Sequence, residues 1–126
     1  MTELERGLKH RHTVIVTEAH SPSHLAPTVV LSTPSMIGFM ERAATKAVQA
    51  SLGDLTSVGT HVNVSHEAAA RAGETVTFEA TLTDIDGRRL EFAVIARVDD
   101  KVIGRGTHQR TIIDREGFGR IRIRPS

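Results

Sequence analysis

Three features of the chain predict an α+β fold in which a curled antiparallel sheet of about five strands wraps one long central helix. Apolar residues recur at helical spacing in one stretch only, as Ile37, Met40, Ala44, Ala47 and Val48. After Gly53 the pattern changes to a period of two and keeps it. Asp86-Gly87 then stands between two alternating stretches as a two-residue hairpin signal of the type I′ kind. One helix cannot cover both sides of a sheet, so one sheet face must curl around it. The 126 residues suffice for one domain with a real core and are too few for two, so 1–126 is read as a single domain.

The elements follow in order. Residues 1–11 are polar and are expected to be loosely held. His12 to Glu18 is β-branched and reads as a short strand. The stretch from His20 to Thr28 carries two prolines, two serines and two histidines, the composition of a loop that can lie over a site as a lid. Thr33 is a good N-cap, Pro34 suits the first helical position, and Gly53 is a natural C-terminal stop. Val58, Thr60, Val62, Val64 and His66 then share one parity, which puts His66 with the valines and His61 on the opposite face. Val76, Phe78, Ala80 and Leu82 form the apolar face of the next strand, and Leu90, Phe92, Val94, Ala96 and Val98 that of its successor. Asp99-Asp100 turns the chain into a last long strand from Val102 to Asp114, so the four strands after the helix read as a meander. Gly104 and Gly106 inside that strand mark close approach of a ligand or another backbone.

Composition excludes several function classes. With no cysteine there is no disulfide, thiolate metal site or Cys nucleophile, and the chain fits a reducing cytoplasm. A net charge of +1 gives no field that argues for nucleic acid or a membrane surface. Four Phe, with no Trp or Tyr, are a poor stacking platform for single strands. No apolar run has the length of a membrane span, and Met1 to Arg6 is not a signal peptide. The segment after His66 lacks the second His of the zinc-protease pattern, and neither a G-x-S-x-G elbow nor a phosphate-binding loop is present.

Glu41 is the residue out of place. On a wheel of ~100° per residue it lies inside the apolar stripe, ~40° from Ile37 toward the flank, while Arg42, Lys46 and Gln49 take the far side. A carboxylate facing a core is costly unless it is paired, and His66, in phase with the valines, is the expected partner. An acid meeting an imidazole in a shared pocket is an arrangement suited to proton transfer or nucleophilic attack. Each residue alone has a plainer reading: Glu41 as a structural acid, His66 as a satisfied strand-end histidine, Thr33 as a cap. Phe39 is placed opposite the stripe, where an exposed ring suits a subunit contact. The arginines at 115, 120, 122 and 124 suit either the phosphates of a cofactor-like ligand or a solvated edge.

The element order resembles the hotdog fold, and the residues sharpen the likeness. Thr33 followed by Gly38 and Glu41, the strand Gly59-Thr60-His61-Val62-Asn63-Val64-Ser65-His66, and Gly104-Arg105-Gly106-Thr107-His108-Gln109-Arg110 resemble three blocks of the fluoroacetyl-CoA thioesterase family, and the tail from Phe118 to Arg124 extends the match. The resemblance implies a homodimeric acyl-CoA thioesterase with Thr33, Glu41 and His66 as its catalytic trio. It implies Gly59 and Thr60 at the acyl and substrate site, Arg110 holding the site or the coenzyme, and no cofactor or metal beyond the coenzyme A of the substrate. The stretch from His24 to Leu31 has no phenylalanine where the fluoroacetyl-specific member has them, which implies a different small acyl group. Glu41 as nucleophile and Glu41 as general base both remain open, with His66 protonating the leaving thiolate. Two other readings of the same fold are a non-catalytic acyl-CoA binding or sensing module and an enoyl-CoA hydratase or dehydratase.

Overall fold

The computed structural model describes residues 3–115, so the alternating tail and its Arg120, Arg122 and Arg124 lie outside the described residues. Strand β1 (Lys9–Ile15) leads through two 3-10 turns, Glu18–His20 and Ser23–Leu25, to helix α1 (Thr33–Gln49). Four strands follow: β2 (Leu55–His66), β3 (Thr75–Asp86), β4 (Arg89–Val98) and β5 (Lys101–Asp114). All pair antiparallel in one sheet of order β1-β3-β4-β5-β2. The expected meander therefore holds for β3 to β5, whereas β2 crosses to the far edge and pairs with β5. Connection length explains the difference. Two-residue turns join β3 to β4 and β4 to β5 and force adjacency, while eight residues separate β2 from β3 and leave them free to part. From Gly7 onward the polar N-terminal stretch is not loose: β1 begins at Lys9, and Gly7 and Leu8 already bond to Leu82.

The β3–β4 turn lies one residue further on than expected, at Gly87-Arg88, with Asp86 facing Arg89. Gly87 has φ of +60° and Arg88 is not in the left-handed region, which is the type II′ rather than the type I′ pattern. Asp99, at φ of +52°, opens the other tight turn where the sequence placed it.

Ser32, not Thr33, caps α1. Its backbone is extended and its Oγ accepts from the Ser35 N–H at 3.1 Å. Thr33 is the first helical residue, Pro34 the second, and the Thr33 hydroxyl is free for another partner. Met36, Met40, Ala43, Ala44, Ala47 and Val48 are buried, and the three alanines let the sheet approach closely. They meet Val76, Phe78, Ala80 and Leu82 of β3 and Leu90, Phe92, Val94 and Ala96 of β4, all buried. Because the sheet curls, more than one stripe of α1 is covered. Phe39 flanks the stripe toward β1 and is half-buried, its ring 5.2 Å from Phe78 and near His12 and His20. It is a packing residue of the fold, not the exposed ring that the wheel suggested.

A β-bulge interrupts β2. Gly59 pairs with Arg110 and His61 with Gln109, so Thr60 is the extra residue. It reverses the parity of everything before it. Val62, Val64 and His66 face the helix side with His108, Gly106 and Gly104, as expected, but below the bulge Gly59 and Ser57 take that side, and Val58 turns away.

Gly106 lies so close to β2 that a Cβ on it would meet the Asn63 carbonyl and Val64 Cα, and backbone cannot move aside cheaply. Gly106→Ala should therefore cost about 2 kcal/mol of stability, read as a lower urea midpoint with an unchanged slope.

Candidate active site

Helix α1 runs along the inner face of β2 and brings its side chains to two places on that strand. At the helix N-terminus Thr33 Oγ1 lies 2.8 Å from His66 Nδ1. The other ring nitrogen, Nε2, is buried and has no hydrogen-bond partner among the described residues. If the hydroxyl donates to Nδ1, Nε2 carries the proton; if Nδ1–H donates, Nε2 keeps its lone pair. In both tautomers the unused nitrogen is the one able to exchange a proton with a bound molecule. A hollow of about 270 Å³ lined by Val30, Leu31, His66, Glu67, Ala68 and Ala69 adjoins it. In the first helical turn Ser32 takes the Ser35 N–H and Pro34 has none, so the Thr33 N–H is the amide left for an incoming anion.

Glu41 lies eight residues on, about 12 Å along the helix. It is on the flank opposite Phe39 and 39% exposed, at the border of the core rather than inside it. Its Oε1 is 4.0 Å from Arg110 Nη1 and 4.0 Å from His108 Nε2. Gly59 leaves room for it: a Cβ there would stand 2.5 Å from Oε1. Within one chain the carboxylate is thus placed against Arg110 and Gly59, and the imidazole of His66 against Thr33. The expected direct pairing of Glu41 with His66 is not formed within the chain.

Arg110 is buried and holds β2 and β5 together. Its Nε donates to Ser57 Oγ at 2.8 Å, its Nη2 to the Ser57 carbonyl at 2.9 Å, and its Nη1 to His108 Nε2 at 3.1 Å. His108 is 1% exposed. Its Nδ1–H donates to the His61 carbonyl at 2.8 Å. Burial pushes the His108 pKa down, and the Arg110 charge adds to this, against the His61 carbonyl and Glu41. Burial also lowers the Arg110 pKa, opposed by Glu41. Thr60, the bulged residue, is exposed and its hydroxyl donates to the Gln109 carbonyl at 3.3 Å. The side chain of His61 faces away from His66, as parity required. Sequence reasoning missed Ser57 altogether and met His108 only as part of the block that carries the family resemblance. The signal for His108 was its phase: it alternates with Gly104, Gly106 and Arg110 toward the helix side.

One long helix held by a curled five-stranded antiparallel sheet, with polar groups gathered where the helix crosses the edge strand, defines a hotdog-fold protein. A solved fluoroacetyl-CoA thioesterase superposes with a TM-score of 0.85 at 34% identity, covering 94% of this chain and 95% of that one. A Thermus thermophilus thioesterase-superfamily protein shares the fold at a TM-score of 0.85 and 24% identity, over 95% and 91% of the two chains. The family described as fluoroacetyl-CoA-specific thioesterase matches residues 9–116. The fluoroacetyl-CoA thioesterase of Streptantibioticus cattleyicolor is 36% identical over 89% of this chain and 87% of its own. The chain belongs to the fluoroacetyl-CoA-specific thioesterase family, and with it to the acyl-CoA thioesterases.

The lowered pKa values fix the sign of the stability–pH relation. Burial depresses His12 as well as His108 below the ordinary 6.5. As pH falls past that value the unfolded chain takes up these protons before the folded chain does, so stability must fall. The urea midpoint should be lower at a pH of about 5.5 than at about 7.5. A midpoint that held steady or rose would contradict the lowered pKa of these two rings.

Proposed function

We propose that the chain hydrolyses a small acyl-CoA thioester to the acid and free coenzyme A, with Thr33, Glu41 and His66 as the reacting groups of a homodimer. The observation that carries this reading is the Thr33–His66 pair, whose buried Nε2 has no partner among the described residues. A buried ring nitrogen with only a structural role would have a partner. The leaving thiolate needs a proton, and Nε2 is the nitrogen free to supply it. The Thr33 N–H and the positive end of α1 favour a developing oxyanion. Glu41, set beside Arg110, acts on the carbonyl carbon either directly, through an anhydride, or by taking a proton from water. Gly59 keeps the approach to the carboxylate open, the exposed Thr60 edges it, and Arg110 holds the site. No cofactor beyond the substrate's own coenzyme A enters these steps. In a solved variant of the fluoroacetyl-CoA-specific thioesterase, 35% identical at a TM-score of 0.82, fluoroacetate and coenzyme A are bound. A lid from His24 to Leu31 without phenylalanine favours a different small acyl group here. A cytoplasmic site of action accords with the absence of cysteine.

Homodimer formation is part of the proposal because Glu41 and His66 stand apart in one chain. The open edge of β2 is twelve residues long, contains no Asp, Glu, Lys or Arg, and exposes Val62. Such an edge invites pairing with another strand. A two-fold axis between Val62 and Asn63 would set Gly59, and the Glu41 beside it, across from His66 of the partner subunit.

Thiol release from a panel of short, branched and aryl acyl-CoA esters tests this reading. Glu41→Ala and His66→Ala should each lower kcat by ~10²-fold or more. Unchanged activity in both would remove them from the mechanism, and tight binding of every ester without turnover would favour a sensor. Co-refolding the two inactive variants should restore about a quarter of wild-type activity if one intact site forms in each mixed dimer. No recovery would place both groups in sites that each chain completes alone.

A further inference from the structure

Three groups near Glu41 are not used by the steps above: the His108 ring, the His61 carbonyl and the Ser57 hydroxyl. They form one connected set. A carbonyl oxygen only accepts, so the 2.8 Å contact with His61 fixes the proton on His108 Nδ1. A guanidinium only donates, so the 3.1 Å contact with Arg110 fixes a lone pair on Nε2. The two contacts hold together only while the ring carries a single proton.

Both contacts lead to Glu41. The His61 carbonyl belongs to the residue just past the bulged Thr60, and the bulge turns Gly59 inward beneath Oε1. The Nε2 lone pair, with Ser57 Oγ and the Ser57 carbonyl, fixes the Arg110 guanidinium, whose Nη1 lies 4.0 Å from the same oxygen. The His108 ring is 1% exposed and lies against Phe92 of β4. It cannot leave this position without opening a space in the core.

We propose that His108 is a positioning residue for Glu41, pinning the bulge that opens the gap at Gly59 and aiming Arg110 at the carboxylate. This rests on the reading of Glu41 as a reacting group. A second proton on the ring would face an Arg110 N–H, and the cation would be driven off Glu41. The charged and titratable groups around the ring are Glu41 from α1, His61 from β2 and Arg110 from β5; β4 presents Phe92. Activity should therefore fall on the acid side as His108 gains its proton.

The test is a cycle of His108→Phe and Glu41→Ala, with kcat and KM measured for each, and with His108→Gln as the conservative variant. His108→Phe should lower kcat by ~10²-fold with KM changed less than ~3-fold, and in the Glu41→Ala background it should cost little more. His108→Gln can place an amide oxygen near the lost lone pair. It should recover at least ~10-fold of the activity and shift the acid limb of the kcat profile to lower pH. Multiplicative losses in the double variant would overturn the proposal, because His108 would then act independently of the carboxylate. So would a His108→Gln acid limb identical to that of wild type. Full activity of Glu41→Ala alone is a different outcome, and it removes the reading of Glu41 on which the proposal rests.

Discussion

One extra residue in β2 decides what this site contains. Gly59 and His66 are seven positions apart, and in a regular strand an odd separation puts two residues on opposite faces. Thr60, inserted between paired neighbours, resets the alternation so that both look toward α1. A glycine can then receive the Glu41 carboxylate while the histidine receives the Thr33 hydroxyl. Arg110 and His108 on the facing strand hold the bulge from beneath, through Ser57 on one side of it and His61 on the other. The site is in this sense a local irregularity that its neighbours stabilise, which is common where strands carry function.

The curl of the sheet gives α1 three environments instead of two. Its centre, rich in alanine, packs on β3 and β4. One flank, at Phe39, is closed by rings from β1, β3 and the 3-10 turn that follows β1. The other flank, at Glu41, borders the edge strand and stays partly open to solvent. A carboxylate is tolerable there because it is half in water and within reach of a fixed guanidinium. The same helix supplies packing on one side and a partly solvated carboxylate on the other.

Much of this could be read from the amino-acid order, and what could not has a physical cause. The helix, the inward rows on β3 and β4, and the phase of His66 follow from periodicity, which is a local property. The place of β2 at the far edge does not, since an eight-residue connection carries no information about which strand it reaches. The bulge was hidden because Val58 and Thr60 continue the β-branched pattern of Val62 and Val64 through the point where the backbone slips. The cap fell on Ser32 because Thr33 has a tertiary partner, which propensity does not know about. Glu41 drew notice as an acid in an apolar setting, but its neighbours come from another strand, and the phase of His108 with Gly106 and Arg110 was the clue to them.

The two borders of the sheet differ in chemistry. β1 has seven residues, with Lys9 and Arg11 among them, and cationic side chains on a short rim discourage a foreign backbone from docking. β2 is longer and uncharged apart from its histidines. A ribbon with one receptive rim and one guarded rim accepts a single neighbour and then offers no further attachment point. If two chains pair along β2 as proposed, their association is self-limiting, and the guarded rims are then a safeguard against growing into a fibre.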